Sequence, residues 1–190
     1  MNVGSPRPTE ATIVPRLLDA VEQLCAIKSP ESVGIRDVAQ EAGLSTGVAY
    51  RYFDSKNALI GAAMERIGER LAQAVTGTED LNEAMQALWQ AFDDNPAFVT
   101  IGSWMILDGQ NVSEIMSKHP AARDLIRQAT TKNLDDPQTF AGVVLLIGLA
   151  GAFYGPSVNR ALQRSDKDQR IFQSAAEAVA TWSRSLTVST

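Results

Sequence analysis

Residues 45–56 bring hydroxyl groups, aromatic rings and two cations together within about three turns of a predicted helix. The segment reads STGVAYRYFDSK. Hydroxyl, Arg and Lys side chains hydrogen-bond phosphates and base edges, and a glycine lets a backbone approach such a ligand closely. The predicted chemistry is therefore non-covalent recognition of a polyanion. The residues predicted to take part are Ser45, Thr46, Gly47, Tyr50, Arg51 and Lys56.

The aromatic rings of this segment divide between two faces of the helix. At 100° per residue, the inner face carries Ala49, Tyr52 and Phe53. The outer face carries Gly47, Tyr50 and Arg51. An outer face of this kind is typical of a recognition helix that enters the major groove of DNA. An ordinary capped helix with one exposed tyrosine is the alternative that the pattern leaves open.

The surrounding sequence predicts the elements that would position this face. A short helix is predicted over residues 35–42, and Gly43 suits a left-handed stop after it. Ser45 is a good N-cap for the next helix, over 46–53, and Ser55 for a longer one, over about 55–75. Two short helices joined by a glycine-containing turn form a helix-turn-helix.

The segment IRDVAQEAGLSTGVAYRYFDSKNALI, residues 35–60, closely resembles the DNA-binding motif of the TetR family of bacterial transcriptional regulators. The resemblance is specific over residues 11–60. It implies a three-helix DNA-binding domain over 11–57, followed by a helical ligand-binding and dimerisation domain over 58–190. It also implies that Arg36 joins Thr46, Tyr50 and Lys56 as a DNA contact.

The charge distribution is acidic, which at first argues against a nucleic-acid partner. The net charge is −5, but residues 1–70 hold eight basic and nine acidic side chains, so the excess acid lies mainly in the C-terminal part. Binding depends on the charge of one face rather than on the average. Double-stranded DNA therefore remains the predicted partner.

Helical periodicity continues to the C-terminus and predicts an all-α fold of about nine helices. Two prolines are expected to affect helix boundaries. Pro15 is best tolerated in a first turn, which places the start of the first helix near residue 12 or 13, and Pro156 is expected to end or kink its helix. The apolar run over residues 140–155 predicts a buried helix and not a membrane span, because it is only 16 residues long.

Two features of the C-terminal part predict partners. A stripe of small residues and the apolar face of the last helix predict a homodimer interface, with packing inside one subunit as the alternative. The predicted interface residues are Gly148, Gly151, Ala152, Gly155, Phe172, Val179 and Trp182. Large adaptable side chains in the central helices predict a pocket for an apolar or aromatic effector. The predicted lining residues are Trp89, Phe92, Trp104, Met105, Asp108, Met116 and Phe153.

The composition argues against an enzyme. His119 and Cys25 are the sole residues of their types, so no metal-binding pattern of Cys and His exists, and no dinucleotide fingerprint is present. We expect no cofactor and no metal. A single cysteine and an N-terminus without an apolar segment predict a cytoplasmic protein. The leading hypothesis is a ligand-responsive repressor that binds a near-palindromic operator as a homodimer. The alternative is a helical small-molecule-binding or scaffold protein that no longer binds DNA.

Overall fold

A computed structural model describes residues 10–78, 80–109, 120–165 and 170–185 of the chain. Within these ranges the regular structure is helical, without a β-strand, which confirms the all-α prediction. A single short 3₁₀ turn, Pro30–Ser32, follows the first helix. The α-helices are α1 Glu10–Ile27, α2 Ile35–Glu41, α3 Thr46–Tyr52, α4 Lys56–Val75, α5 Leu81–Asp94, α6 Pro96–Leu107, α7 Pro120–Thr131, α8 Pro137–Ala161 and α9 Arg170–Ser185.

The first helix begins earlier than the sequence predicted. α1 begins at Glu10, so Pro15 lies in its second turn and the expected start at residue 12 or 13 is wrong. A proline at this position deprives the carbonyl of Ala11 of its usual N–H partner. Ala11 is exposed, so water can hydrogen-bond that carbonyl instead. The burial of Leu17 and Val21 holds the helix to the core despite the proline.

α4 connects the helix-turn-helix to the C-terminal helices. Ser55 caps it by accepting a hydrogen bond from the backbone N–H of Ala58 at 3.1 Å. Its apolar face is fully buried along the whole length of the helix, from Leu59 to Val75. It packs against α1 on one side and against α5, α6 and α7 on the other. One continuous apolar core therefore runs from Ile13 on α1 to Val179 on α9.

α8 is a helix of 25 residues with a side-chain cap at its N-terminus. Asp136 caps it by accepting hydrogen bonds from the backbone N–H and hydroxyl of Thr139, and these bonds lower the pKa of the Asp136 carboxyl. The helix continues through Pro156 to Ala161, so it does not end at the proline, and a kink there stays a prediction.

The burial of α8 also differs from the prediction. Its length and mean hydropathy of 1.7 would suit a membrane span, and only 17% of its most apolar stretch is buried. A buried helix was expected. Phe140, Val144 and Gly148 nevertheless face the core, which anchors this helix to the rest of the protein.

A network of ion pairs links α1 to α4 beside this core. Glu22 on α1 accepts hydrogen bonds from both Arg66 and Arg70 on α4, at 2.7 and 2.5 Å. Arg66 also pairs with Asp19, and Arg70 donates to the side chain of Asn95 at the turn between α5 and α6. The carboxylate of Glu22 is mostly buried, which makes these bonds stronger than those of an exposed pair.

Candidate functional site

The outer face of α3 is exposed as the sequence predicted. Ala49 is fully buried, and Tyr52 and Phe53 pack against the core. Gly47 and Arg51 are exposed, and Tyr50 is 54% exposed. A Cβ atom placed on Gly47 would meet nothing within 4 Å, so this face is open to a partner.

The turn before α3 fixes the orientation of this face. Gly43 adopts a left-handed φ of +64°, and the backbone N–H of Leu44 donates to the carbonyl of Ala39 at 2.8 Å. This is the Schellman ending of a helix, which favours glycine at the left-handed position. The guanidinium of Arg16 on α1 donates to the carbonyl of Ala42 and locks the turn to the first helix.

The two ends of the helix-turn-helix present further polar groups. Ser45 occupies the N-cap position of α3, but its side chain makes no capping hydrogen bond. Thr46 is partly exposed beside it. Arg36 is exposed in the first turn of α2, where Asp37 accepts a hydrogen bond from the backbone N–H of Gly34 at 2.8 Å. The side chains of the predicted contacts Arg36, Ser45 and Thr46 are therefore accessible to a partner.

Lys56 has a structural role that the sequence did not predict. Its Nζ donates to the carbonyl oxygens of Pro30 and Glu31, at 3.0 and 2.9 Å. The same ammonium lies 5.9 Å from the centre of the Trp104 ring, within the range of a cation–π contact. Two of its three donors are therefore committed within the chain, and a contact between Lys56 and DNA stays a prediction.

A cleft with a volume of about 640 Å³ lies beside Lys56. One wall comes from the segment after α1 and the first residues of α4. The other wall comes from α6, Asp108 and Phe153 of α8. The lining residues are Ser29, Pro30, Glu31, Lys56, Asn57, Thr100, Ser103, Trp104, Leu107, Asp108 and Phe153. The cleft therefore lies between the helix-turn-helix and the C-terminal helices.

The structure divides the predicted effector residues into two groups. Trp104, Asp108 and Phe153 line the cleft together. Trp89, Phe92 and Met105 are buried in the core, where the indole N–H of Trp89 donates to the carbonyl of Val144 at 2.8 Å. These three side chains form part of the described core. Met116 lies outside the described residues.

The sequence did not identify most of the cleft. Ser29, Pro30 and Glu31 are separated from Thr100 and Ser103 by about 70 positions, and polar residues near helix ends carry no periodic signal. The one local clue is a lysine at the first position of a helix whose first turn holds no acidic residue. Only the packing of α1 against α6 brings these residues together.

The predicted dimer residues face inward more than expected. A Cβ atom placed on Gly148 would lie 2.5 Å from Trp89, so this glycine packs inside its own subunit. Val179 is buried, and Trp182 stacks on Phe140 with ring centres 6.2 Å apart. These three residues thus follow the alternative of packing within one subunit.

The remaining predicted dimer residues are less buried. Gly151, Ala152 and Gly155 are partly exposed, and the side chain of Phe172 lies outside the described part. α8 also exposes large apolar side chains. They are Leu146, Phe153, Tyr154 and Val158, with Leu162 just after the helix.

Comparisons with known proteins agree with this architecture. The sequence model described as bacterial regulatory proteins, tetR family, matches residues 17–63. An uncharacterised HTH-type transcriptional regulator of Mycobacterium tuberculosis is 31% identical over 134 residues, 65% of this chain and 65% of that protein. An HTH-type transcriptional repressor of the same species is 26% identical over 110 residues, 58% of this chain and 55% of that protein. The chain thus matches about two thirds or less of the length of these relatives.

Solved structures show the same fold over nearly the whole chain. A bacterial regulatory protein in the tetR family from Rhodococcus RHA1 has a TM-score of 0.67 and 18% identity, covering 96% of this chain and 100% of that one. BioQ bound to its natural double-stranded DNA operator has a TM-score of 0.58 and 21% identity, covering 88% of this chain and 95% of that one. The likeness therefore extends from the helix-turn-helix through the C-terminal helices.

Proposed function

Because the chain belongs to the TetR family of bacterial regulatory proteins, we propose that it regulates transcription by binding operator DNA as a homodimer. Members of this family are regulators and not enzymes, which agrees with the sequence analysis. The observation that carries the proposal is the exposed face of α3, with Gly47, Tyr50 and Arg51 presented on a locked turn.

The chemistry of this face suits the major groove. The guanidinium of Arg51 can donate to guanine or to phosphate, and the hydroxyl of Tyr50 can donate to a phosphate. Gly47 leaves room for the helix to approach the base edges. Arg36, Ser45 and Thr46 supply further donors at the two ends of the motif. One copy offers few cations, so the proposal requires a second copy to supply enough contacts.

The dimer would use the exposed apolar side of α8. Leu146, Tyr154 and Val158 are 69%, 60% and 42% exposed, which is unusual for large apolar side chains on one helix. A second copy placed on this side would remove them from water. Two recognition helices would then enter successive major grooves on one face of a near-palindromic operator, about 34 Å apart.

We further propose that the protein is a repressor released by a small molecule, and that it acts in the cytoplasm on its own gene or a neighbour. BioQ, which shares the fold, was solved on a natural operator, and one relative is described as a repressor. An effector can release DNA only if it binds better to the conformation that does not fit the operator. The cleft between the two parts of the chain is the described cavity best placed for that effect.

A binding titration tests the proposal. Fluorescence anisotropy with the DNA that flanks the gene should give specific binding that weakens steeply between 50 and 200 mM salt, roughly in proportion to the phosphates contacted. Arg51→Ala and Tyr50→Ala should each lose about 1–3 kcal/mol of binding free energy. Arg127→Ala, on the exposed side of α7, removes the same charge away from α3 and should bind as the wild type does. Equal, weak binding of all four proteins to any DNA would refute the regulator proposal.

A further inference from the structure

The cleft beside Lys56 has the composition of a binding site for a cation. Trp104 and Phe153 contribute two aromatic side chains to its walls, and Phe153 is 48% exposed. Among the described lining residues, Glu31 and Asp108 are acidic and Lys56 alone is basic. The lining is therefore both aromatic and more negative than positive.

The Trp104 ring is already occupied by a cation. The ammonium of Lys56 lies 5.9 Å from the ring centre. Tryptophan gives the strongest cation–π attraction of the aromatic side chains, because its ring carries the most negative face. Hydrogen bonds to the carbonyls of Pro30 and Glu31 hold Lys56 at this ring. These hydrogen bonds break if the ammonium moves away.

We propose that this cleft binds an aromatic cation, which replaces the Lys56 ammonium on the face of Trp104. The aromatic part would stack between Trp104 and Phe153, and the positive charge would be attracted by Glu31 and Asp108. Two cations cannot share one ring face at low cost, so the bound cation repels Lys56. The volume of about 640 Å³ is large enough for a ligand of two or three rings.

Displacement of Lys56 would reach the helix-turn-helix directly. The carbonyls of Pro30 and Glu31 belong to the 3₁₀ turn that ends at Ser32, two residues before Gly34 caps α2. Loss of the Lys56 bonds leaves this turn with its own backbone bonds, from Ser32 N–H to Ser29 at 2.9 Å and from Val33 N–H to Pro30 at 3.3 Å. This consequence rests on the proposed regulatory function, in which the cation is the effector. The binding of the cation to the cleft does not depend on that regulatory function.

Calorimetry without DNA tests the site by itself. The probe is N-benzylquinolinium, and 1-benzylnaphthalene is its uncharged isostere. The cation should bind about tenfold more tightly than the isostere, in the range expected for a partly desolvated cation–π contact. Failure of the cation to bind, or equal binding of the two probes, overturns the proposal and leaves the DNA-binding proposal intact.

Variants identify the groups that hold the cation. Affinity should fall from the wild type to Trp104→Phe and further to Trp104→Leu, because the ring face weakens and then disappears. Glu31→Gln with Asp108→Asn should weaken binding severalfold through the lost charges. Glu83→Gln, an exposed carboxylate on α5, is the matched control and should bind as the wild type does. Unchanged affinity in both Trp104→Leu and the double variant overturns the assignment.

Lys56→Met separates displacement from simple binding. Methionine keeps the unbranched apolar stem and removes the competing charge, so the cation should bind severalfold more tightly to this variant. In the wild type, the cation should also accelerate hydrogen exchange at the amide of Val33. Weaker binding to Lys56→Met, or slower exchange at Val33, would show that Lys56 supports the ligand and is not displaced.

Discussion

Gly148 shows how closely α5 and α8 approach each other. Its missing side chain makes room for the rings of Trp89 and Phe92, which are both buried. The indole N–H of Trp89 donates to the carbonyl of Val144 on the same helix as the glycine. The tryptophan therefore cannot turn away without losing a buried hydrogen bond.

We predict that Gly148→Ala destabilises the fold by about 1–3 kcal/mol, because the new methyl group would lie 2.5 Å from Trp89. Gly142→Ala is the matched control. It lies on the same helix, and a Cβ atom there meets nothing within 4 Å. Alanine should stabilise the helix at that position by up to about 1 kcal/mol. Urea unfolding followed by circular dichroism measures both changes, and an equal effect of the two substitutions would refute this account of the contact.

Single residues differ in how well the sequence predicted them. The division of Ala49, Tyr52 and Tyr50 between the two faces of α3 followed from helical periodicity and is confirmed. The hydrogen bonds of Lys56 were missed because their partners lie 26 and 25 positions earlier in a short turn. Periodicity describes one helix at a time, so it cannot show which loop a side chain will reach.

At the scale of elements, α4 is held to α1 by charge as well as by apolar packing. Arg66 and Arg70 lie one helical turn apart, so both can reach Glu22 on the facing helix. Because Arg70 also donates to Asn95, the network extends to the turn between α5 and α6. A rotation of α4 relative to α1 would have to break several of these bonds together.

We predict that Glu22→Gln lowers the free energy of unfolding by about 1–3 kcal/mol, because two guanidinium groups lose a charged acceptor that is mostly buried. Arg127→Ala breaks an exposed ion pair within α7 and should change the free energy of unfolding by about 0.5 kcal/mol or less. Chemical denaturation of both variants checks the comparison. If Glu22→Gln lowers the free energy of unfolding no more than Arg127→Ala does, the network adds nothing to stability.

Within the described ranges, elements were predicted well in number and less well in orientation. The existence of α2 to α6 followed from caps and periodicity, and Gly43 marked the turn of the helix-turn-helix. The outward side of α8 was assigned to its small residues, whereas Gly148 faces the core and Leu146 and Tyr154 face solvent. A helix that is apolar on every side gives no periodic contrast, so the sequence alone could not distinguish its faces.

At the scale of the whole molecule, α8 leaves several large apolar side chains in contact with water in one copy. We predict that Tyr154→Asp converts a dimer into a monomer at micromolar concentration, because association would bury an unpaired charge. Ile27→Asp places the same charge on an exposed apolar residue at the end of α1 and should leave the dimer intact. Sedimentation velocity reports both results, and a wild-type protein that sediments as a monomer would contradict the dimer proposal.

The chain has few cations on its recognition helix, so affinity for DNA must come from two copies acting together. The most direct measurement is a hydroxyl-radical footprint on the DNA that flanks the gene, with wild type and Tyr154→Asp side by side. The wild type should protect two patches on one face of the duplex, about one helical turn apart, and Tyr154→Asp should protect neither at the same concentration. No protection by the wild type, or an equal footprint from the monomeric variant, would contradict the claim that this protein reads an operator through paired α3 helices.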